Sequence, residues 1–117
     1  MISPLIENQR TFLLDVGRLI AWSEVARFVV TAGELWRPPE MQELYFKLGK
    51  SKVRAGGNHG RRLAVDLNIF LPSGTLATLA QIEPMGLFWE SLHPLNRWGG
   101  HFSTIKDGPH FERNFLG

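Results

Sequence analysis

The sequence contains no cysteine among its 117 residues. Disulfide bonds and thiolate metal sites are therefore excluded, and any metal site would have to use histidine and carboxylate ligands. The first ten residues, MISPLIENQR, have neither a basic start nor an unbroken apolar run, so no secretory signal is predicted there. No stretch approaches the roughly 20 apolar residues that cross a bilayer. We expect a chain made in the cytoplasm that does not insert stably into a membrane.

The sequence also has little net charge, which is formally +2. Its positive residues concentrate in one segment and are Lys47, Lys50, Lys52, Arg54, Arg61 and Arg62. A nucleic-acid-binding surface and a solvated loop are both consistent with such a cluster. The modest net charge favours the loop, so no nucleic-acid partner is predicted.

Apolar and aromatic residues are plentiful. Hydrophobic residues make up 44% of the chain, with eight Phe and four Trp. This composition is typical of a packed globular protein and argues against disorder. Because domains cluster at about 100–150 residues, residues 1–117 are predicted to form one domain, and we expect a monomer.

Hydrophobic periodicity predicts three helices and two long strands. An apolar face of Ile6, Leu13, Val16 and Ile20 predicts the first helix. The predicted helices are 3–22, 39–48 and 84–92, and the predicted strands are 26–35 and 63–71. Segment 50–58 is predicted to be a loop, 75–82 fits either a helix or an extended piece, and 96–117 fits short strands and loops. These elements indicate a compact α+β domain with a small sheet.

The strand over 63–71 carries a carboxylate on an otherwise apolar segment. Asp66 shares a face with the small Ala64, and a partly buried carboxylate must be paired or bound to a metal. His59 lies seven residues earlier, in a glycine-rich approach that can bend toward the strand. An ordinary His–Asp hydrogen bond would explain this pair by itself.

A second histidine–carboxylate pair lies near the end of the sequence. Asp107 and His110 are separated by Gly-Pro, a turn that can aim both side chains the same way. With His59 and Asp66, His110 completes a set of two imidazoles and one carboxylate, which suits a zinc site with an open position. Asp107 is then left to act as a general base. Glu112 shares the face of His110 if this segment is a strand, where it would orient that ring.

In this order and spacing, the motifs resemble a known family. The pattern HxxxxxAxD at His59, Ala64 and Asp66 is followed by Trp98-Gly99-Gly100 and then by DxxHF at Asp107, His110 and Phe111. It is similar to the zinc D-Ala-D-Ala carboxypeptidases and the related L-alanyl-D-glutamate endopeptidases of phage endolysins. The segment from Trp36-Arg37 to Gln42 resembles the upstream arginine motif of that family, with an acid at Glu34. The resemblance spans about Val30 to Glu112.

The resemblance implies a fold and a set of roles. The fold would be the small α+β peptidase fold shared with a hedgehog signalling domain. His59, Asp66 and His110 would bind Zn²⁺, Asp107 would be the base, and Arg37 would stabilise the oxyanion or grip substrate. Two further residues, Trp98 and Gln42, are candidate substrate contacts, although Trp98 fits a core position equally well. The sequence departs from the family at Gly57, where serine is common, and at Arg62, where glycine is frequent.

The sequence therefore predicts a zinc metallopeptidase that hydrolyses peptidoglycan stem or cross-bridge peptides, similar to phage endolysins, acting on the cell wall after release. D-Ala-D-Ala carboxypeptidase and L-Ala-D-Glu endopeptidase activities both stay open. The alternative is a non-catalytic zinc-binding module that contacts the cell wall or another protein.

Overall fold

The computed structural model describes residues 1–50 and 57–117. Most of the predicted loop over 50–58, including Lys52 and Arg54 of the basic cluster, lies outside the described residues. The elements in chain order are α1 (Pro4–Val25), β1 (Val29–Ala32), α2 (Pro39–Lys47), β2 (Ala64–Phe70), α3 (Leu79–Ser91), β3 (Asn96–Trp98), a short 3₁₀ helix (Gly99–His101) and β4 (His110–Arg113). The predicted α+β class is confirmed.

The four strands form one antiparallel sheet in the order β1-β2-β4-β3. Strand β2 pairs with a different strand along each half of its length. Its first half, Ala64 to Asp66, pairs with β4, while its second half, Leu67 to Phe70, pairs with β1. The middle of β2 is thus the point where β1, β2 and β4 approach one another. Asp66 lies at this point.

Alternation along β2 separates a core face from an open face, as the sequence predicts. The side chains of Leu63, Val65, Leu67 and Ile69 are buried and pack with helices α1 and α3. On the other face Asp66 is partly buried and Asn68 is exposed. Helices therefore cover one face of the sheet and leave the opposite face available for a polar site.

The buried face of helix α1 differs from the apolar stripe that the sequence predicts. Of that stripe, Ile6, Leu13 and Ile20 are exposed, and only Val16 is buried. The residues that α1 buries are Phe12, Asp15, Val16, Leu19 and Ser23. The prediction is wrong here because polar Asp15 and Ser23 find partners in the interior, so apolarity alone does not identify the buried face.

A buried ion pair holds α1 against the end of the sheet. The guanidinium of Arg113 is fully buried and donates to Asp15 at 2.8 Å and to Asn96 at 2.7 Å. Asn96 also donates to Oδ2 of Asp15 at 3.1 Å, so the three side chains contact one another. Burying charges costs free energy unless they are paired and fully hydrogen-bonded, and this cluster meets that condition.

Helix α3 begins five residues earlier than the sequence pattern predicts. Thr78 and Gln81 form a reciprocal capping box, so the helix starts at Leu79 instead of Pro84. Pro84 lies inside the helix, where its missing N–H loses one backbone hydrogen bond. The ambiguous segment 75–82 thus contains an isolated bridge from Leu76 to Phe70 and then the first turn of α3. Across residues 1–50 and 57–117, no helix is both long and apolar enough to cross a membrane.

Candidate metal centre

Three side chains from distant parts of the chain converge on one point of the open sheet face. Nε2 of His59 lies 3.2 Å from Oδ1 of Asp66, and Nδ1 of His110 lies 3.1 Å from the same oxygen. The two ring nitrogens are themselves 3.2 Å apart. The structure thus brings together the three residues that the sequence predicts as metal ligands, and that they bind a metal stays a prediction.

Strand register places two of these residues side by side. Asp66 on β2 pairs directly with His110, the first residue of β4, so their side chains project from the same face. His59 comes from the turn before β2, where the amide of Leu63 donates to the carbonyl of Asn58. The amide of Arg37 donates to the carbonyl of His59, which ties this turn to the segment after β1. The position of His59 is therefore fixed by backbone contacts on both sides.

The triangle of ligand atoms has the dimensions of a zinc site. Two atoms that each lie about 2.0–2.1 Å from a tetrahedral zinc ion are roughly 3.3–3.4 Å apart. The observed separations of 3.1–3.2 Å are close to this value. Among the described residues, this is the only group of three or more histidines and acids whose atoms converge in this way.

The far side of the His110 ring is held by a carboxylate. Nε2 of His110 lies 2.7 Å from Oε1 of Glu112, two residues along β4 and on the same face. If Nε2 donates its proton to Glu112, Nδ1 presents a lone pair toward His59 and Asp66. Metal-binding histidines are usually held by a carboxylate in this manner. The expected orientation of the ring by Glu112 agrees with this contact.

Without a metal, the centre holds a proton. Burial by itself lowers the pKa of His110, but hydrogen bonds with Asp66 and Glu112 outweigh burial and raise that pKa to about 9. Burial by itself raises the pKa of Asp66, but hydrogen bonds with His110 and His59 bring that pKa well below its usual range. The group of acceptors therefore favours a cation, which is the electrostatic requirement of a metal centre.

Asp107, the predicted base, lines the same cavity as the three converging residues. Burial raises the pKa of its carboxyl above the ordinary value, and the negative charge of Asp66 adds to the rise. The Asp107 backbone comes close because Gly99 has no side chain: a Cβ there would lie 2.1 Å from the Asp107 carbonyl oxygen. The amide of Asp107 also donates to the carbonyl of Gly99 at 2.9 Å. A carboxyl group with a raised pKa beside the converging ligands suits proton transfer.

Arg37 lies in the wall of this cavity, and two of its nitrogens donate to neighbouring side chains. Its Nε donates to Glu34 at 2.5 Å, and its Nη1 donates to Gln42 at 2.8 Å. The guanidinium also lies over the ring of Tyr45, 4.8 Å from its centroid. Gln42 is buried, lines the cavity and supports Arg37. Direct substrate contact by Arg37 or Gln42 remains a prediction.

Trp98 lies in the core beside the cavity. Its side chain is only 1% exposed, and its indole N–H donates to the carbonyl of Gly108 at 2.8 Å. Strand alternation explains this position, because Trp98 pairs with the core residue Phe111 while its neighbour Arg97 projects from the open face. The Trp98 side chain therefore lies in the core, as the second interpretation of the sequence expects, and its contact with substrate stays a prediction.

His101 does not join the centre. Its Nδ1 lies 2.8 Å from Oε1 of Glu90, and its ring packs edge-on against Trp98. The ring of His101 is therefore held by Glu90 and Trp98, apart from His59, Asp66 and His110.

Two polar residues that the sequence analysis did not single out contact Glu112. Arg97 donates to its Oε2 through Nε at 3.0 Å and Nη2 at 2.5 Å, and Asn58 donates to the same oxygen at 3.0 Å. Arg97 pairs with Glu112 across β3 and β4, as Ala64 does across β2 and β4. Only the strand register, which sequence spacing does not give, identifies Arg97.

The backbone at Arg62, where the family frequently has glycine, adopts a conformation that glycine favours. Arg62 has φ +60°, in the left-handed region that favours glycine. A glycine at this position would therefore adopt the observed turn without strain. Its guanidinium lies 4.3 Å from the centroid of the Trp36 ring, a cation–π contact that offsets part of the conformational cost.

The fold and the converging side chains define a small α+β protein with a His-Asp-His group that could hold a metal ion, next to the carboxyl group of Asp107. The chain belongs to the D-alanyl-D-alanine carboxypeptidase family, whose model matches residues 51–113. Its fold is similar to the crystal structure of Serratia marcescens L-Ala D-Glu endopeptidase ChiX, at 23% sequence identity and a TM-score of 0.70. That match covers 98% of this chain and 90% of the other. No curated protein sequence matches the chain. The resemblance noted in the sequence is thus confirmed, and the chain is a member of a peptidase family.

Proposed function

We propose that this protein is a zinc-dependent peptidase that hydrolyses peptidoglycan stem or cross-bridge peptides, as phage endolysins do. The observation that carries the proposal is the triangle of His59, Asp66 and His110 with sides of 3.1–3.2 Å. Membership in the D-alanyl-D-alanine carboxypeptidase family supports the peptidase activity. The likeness to an L-Ala D-Glu endopeptidase keeps both peptide bonds open as substrates.

His59, Asp66 and His110 would hold the zinc ion, and Glu112 would fix the His110 ring. A bound zinc ion would polarise the scissile carbonyl and lower the pKa of the attacking water. Asp107 would accept a proton from that water and deliver it to the leaving amine. Arg37, held against Glu34, would offset negative charge on the carbonyl oxygen.

The test combines metal content with peptide cleavage. Elemental analysis of the purified protein should find about one zinc per chain. Purified peptidoglycan should release free amines, release should stop with a chelator, and added zinc should restore it. Mass spectrometry of the digested muropeptides then identifies the bond that is cut. Amine release that a chelator does not affect would rule out the metal mechanism.

The same experiment distinguishes the proposed enzyme from the non-catalytic alternative. A zinc-binding module would contain zinc but release no amines from peptidoglycan. The free carboxyl of Asp107, with its raised pKa beside the converging residues, favours the enzyme. We further propose that the protein is made in the cytoplasm, acts as a monomer and reaches the wall after release.

A further inference from the structure

Arg97 has hydrogen-bonding capacity that the described part of the fold does not use, and it is the more exposed of the two arginines nearest the converging residues. Its Nε and Nη2 both donate to a single oxygen of Glu112. Its Nη1 makes no hydrogen bond within residues 1–50 and 57–117. The side chain is 49% exposed, and it lines both the metal-centre cavity of about 460 Å³ and the adjoining one beyond Phe102.

The guanidinium is also held in place. Glu112 fixes one edge, and the ring of Phe102 lies below the plane, 5.4 Å from the guanidinium carbon. An arginine fixed in this way presents its free edge at little cost in side-chain entropy, and that edge suits a carboxylate. Arg97 thus combines a fixed orientation with unused donors.

The other cations of this cavity are less suited to bind a ligand. Arg37 is only 14% exposed, against 49% for Arg97, and its Nε and Nη1 donate to Glu34 and Gln42. Arg61 donates through Nη1 to the carbonyl of Phe115 and through Nη2 to that of Gly117. Lys50 is an exposed ammonium on a flexible four-carbon stem, which is a point charge without a preferred geometry.

Both peptide bonds under consideration leave a free carboxylate in the same place. In D-Ala-D-Ala the residue after the scissile bond carries the chain-terminal carboxylate. In the L-Ala-D-Glu bond of a stem peptide, the glutamate continues through its side-chain carboxyl and keeps its α-carboxylate free. In either substrate this charge is separated from the scissile carbonyl by only the amide nitrogen and one carbon. Arg97 and His110 both contact Glu112 and line the same cavity, so Arg97 is a near neighbour of the converging residues.

We propose that Arg97 binds the free α-carboxylate of the residue that follows the scissile bond and thereby selects acidic over amidated peptides. This inference rests on the proposed function, and it assigns the leaving-group side of the cleft to the edge formed by Arg97 and Phe102. Arg97 acts as a specificity residue that contacts substrate, in addition to its ion pair with Glu112.

The test compares two synthetic peptides that differ only at this α-carboxyl, one free and one amidated, around the bond that mass spectrometry shows to be cut. The wild-type protein should prefer the free acid in kcat/KM by roughly 10- to 100-fold, the range that a hydrogen bond to a charged group contributes. Arg97→Gln should retain zinc and remove this preference, because it slows the acidic peptide much more than the amidated one. Arg97→Lys, which keeps the charge beside Glu112, should retain an intermediate preference.

Arg10→Gln serves as the matched control, because it removes the same charge from the exposed face of α1. It should leave the preference as in the wild type. A preference that survives Arg97→Gln would overturn the proposal. An equal loss for both peptides, together with loss of zinc, would also overturn it, because Arg97 would then act only by positioning Glu112.

If neither peptide is cleaved, the proposed function is refuted. A binding measurement then still tests the inference about Arg97. Nuclear magnetic resonance shifts of the zinc-loaded protein would be followed during titration with the acidic and the amidated peptide. Tighter binding of the acidic peptide that Arg97→Gln abolishes supports the carboxylate site. Equal binding of the two peptides to the wild-type protein refutes it.

Discussion

The metal-free protein should lose stability as pH rises from neutral to alkaline values, because His110 is protonated in the folded state. The ordinary pKa of histidine is 6.5, and the pKa of His110 in the fold is raised to about 9. The protonated ring therefore contributes stability that is fully present below pH 6.5 and is lost as pH rises through about 9. At about 1.4 kcal/mol per pH unit, the difference corresponds to roughly 3 kcal/mol. That is a large part of the roughly 5–15 kcal/mol that stabilises a typical domain.

Urea unfolding in the presence of a chelator measures this loss directly. The free energy of unfolding should fall by roughly 3 kcal/mol between pH 6 and pH 10. With zinc bound, Nδ1 of His110 is not available to protons, and this decrease should disappear. A titration of the histidine ring signals by nuclear magnetic resonance should give the pKa of His110 independently of unfolding.

Two variants separate this effect from other titrations. Glu112→Gln removes a hydrogen bond that raises the pKa of His110, so the pKa should move back toward 6.5 and the decrease should be smaller. His101→Gln changes a histidine outside the centre and should leave the decrease unaltered. A metal-free wild-type protein whose stability is flat across this range would refute the electrostatic reasoning.

Three further predictions concern single groups. Asp107→Ala should keep zinc and lose roughly 10²–10⁴-fold in turnover, the usual contribution of a general base; kinetics with elemental analysis would check this, and wild-type activity would remove Asp107 from the mechanism. His110→Ala should lose the metal itself, which elemental analysis measures against His101→Ala as control. Asp15→Ala should reduce the free energy of unfolding by roughly 3–5 kcal/mol, because it leaves the buried guanidinium of Arg113 unpaired; urea unfolding with a change below 1 kcal/mol would contradict this.

Part of the candidate site can be predicted from local sequence. The alternation of β2 places Asp66 opposite the buried Val65 and Leu67, and a carboxylate in such a strand needs a partner. The Gly-Pro turn between Asp107 and His110 is equally local. These features select Asp66 and His110 as candidates, because side-chain direction along a strand depends only on period two. The approach of His59 depends instead on the backbone contacts of its turn.

Other features depend on contacts between distant residues. Helix α1 buries Asp15 because Arg113, near the other end of the chain, reaches it across 98 positions. Because of this ion pair, the buried face of α1 differs from the face that apolarity predicts. The capping box at Thr78 extends α3 through Pro84, although a proline usually marks a boundary. Local propensity is a weak guide wherever tertiary contacts supply the missing partner.

The sequence by itself determined the class of this protein, because the order and spacing of His59, Asp66, Asp107 and His110 in an α+β chain without cysteine are typical of that class. Only the tertiary structure decided which neighbours these residues have. The pairing of β4 with β3 turned Trp98 into the core and Arg97 toward Glu112 on the open face. A shift of one residue in that pairing would exchange the two side chains, because successive strand residues point to opposite faces. Sequence spacing sets the alternation, but the register is set by packing of the whole domain.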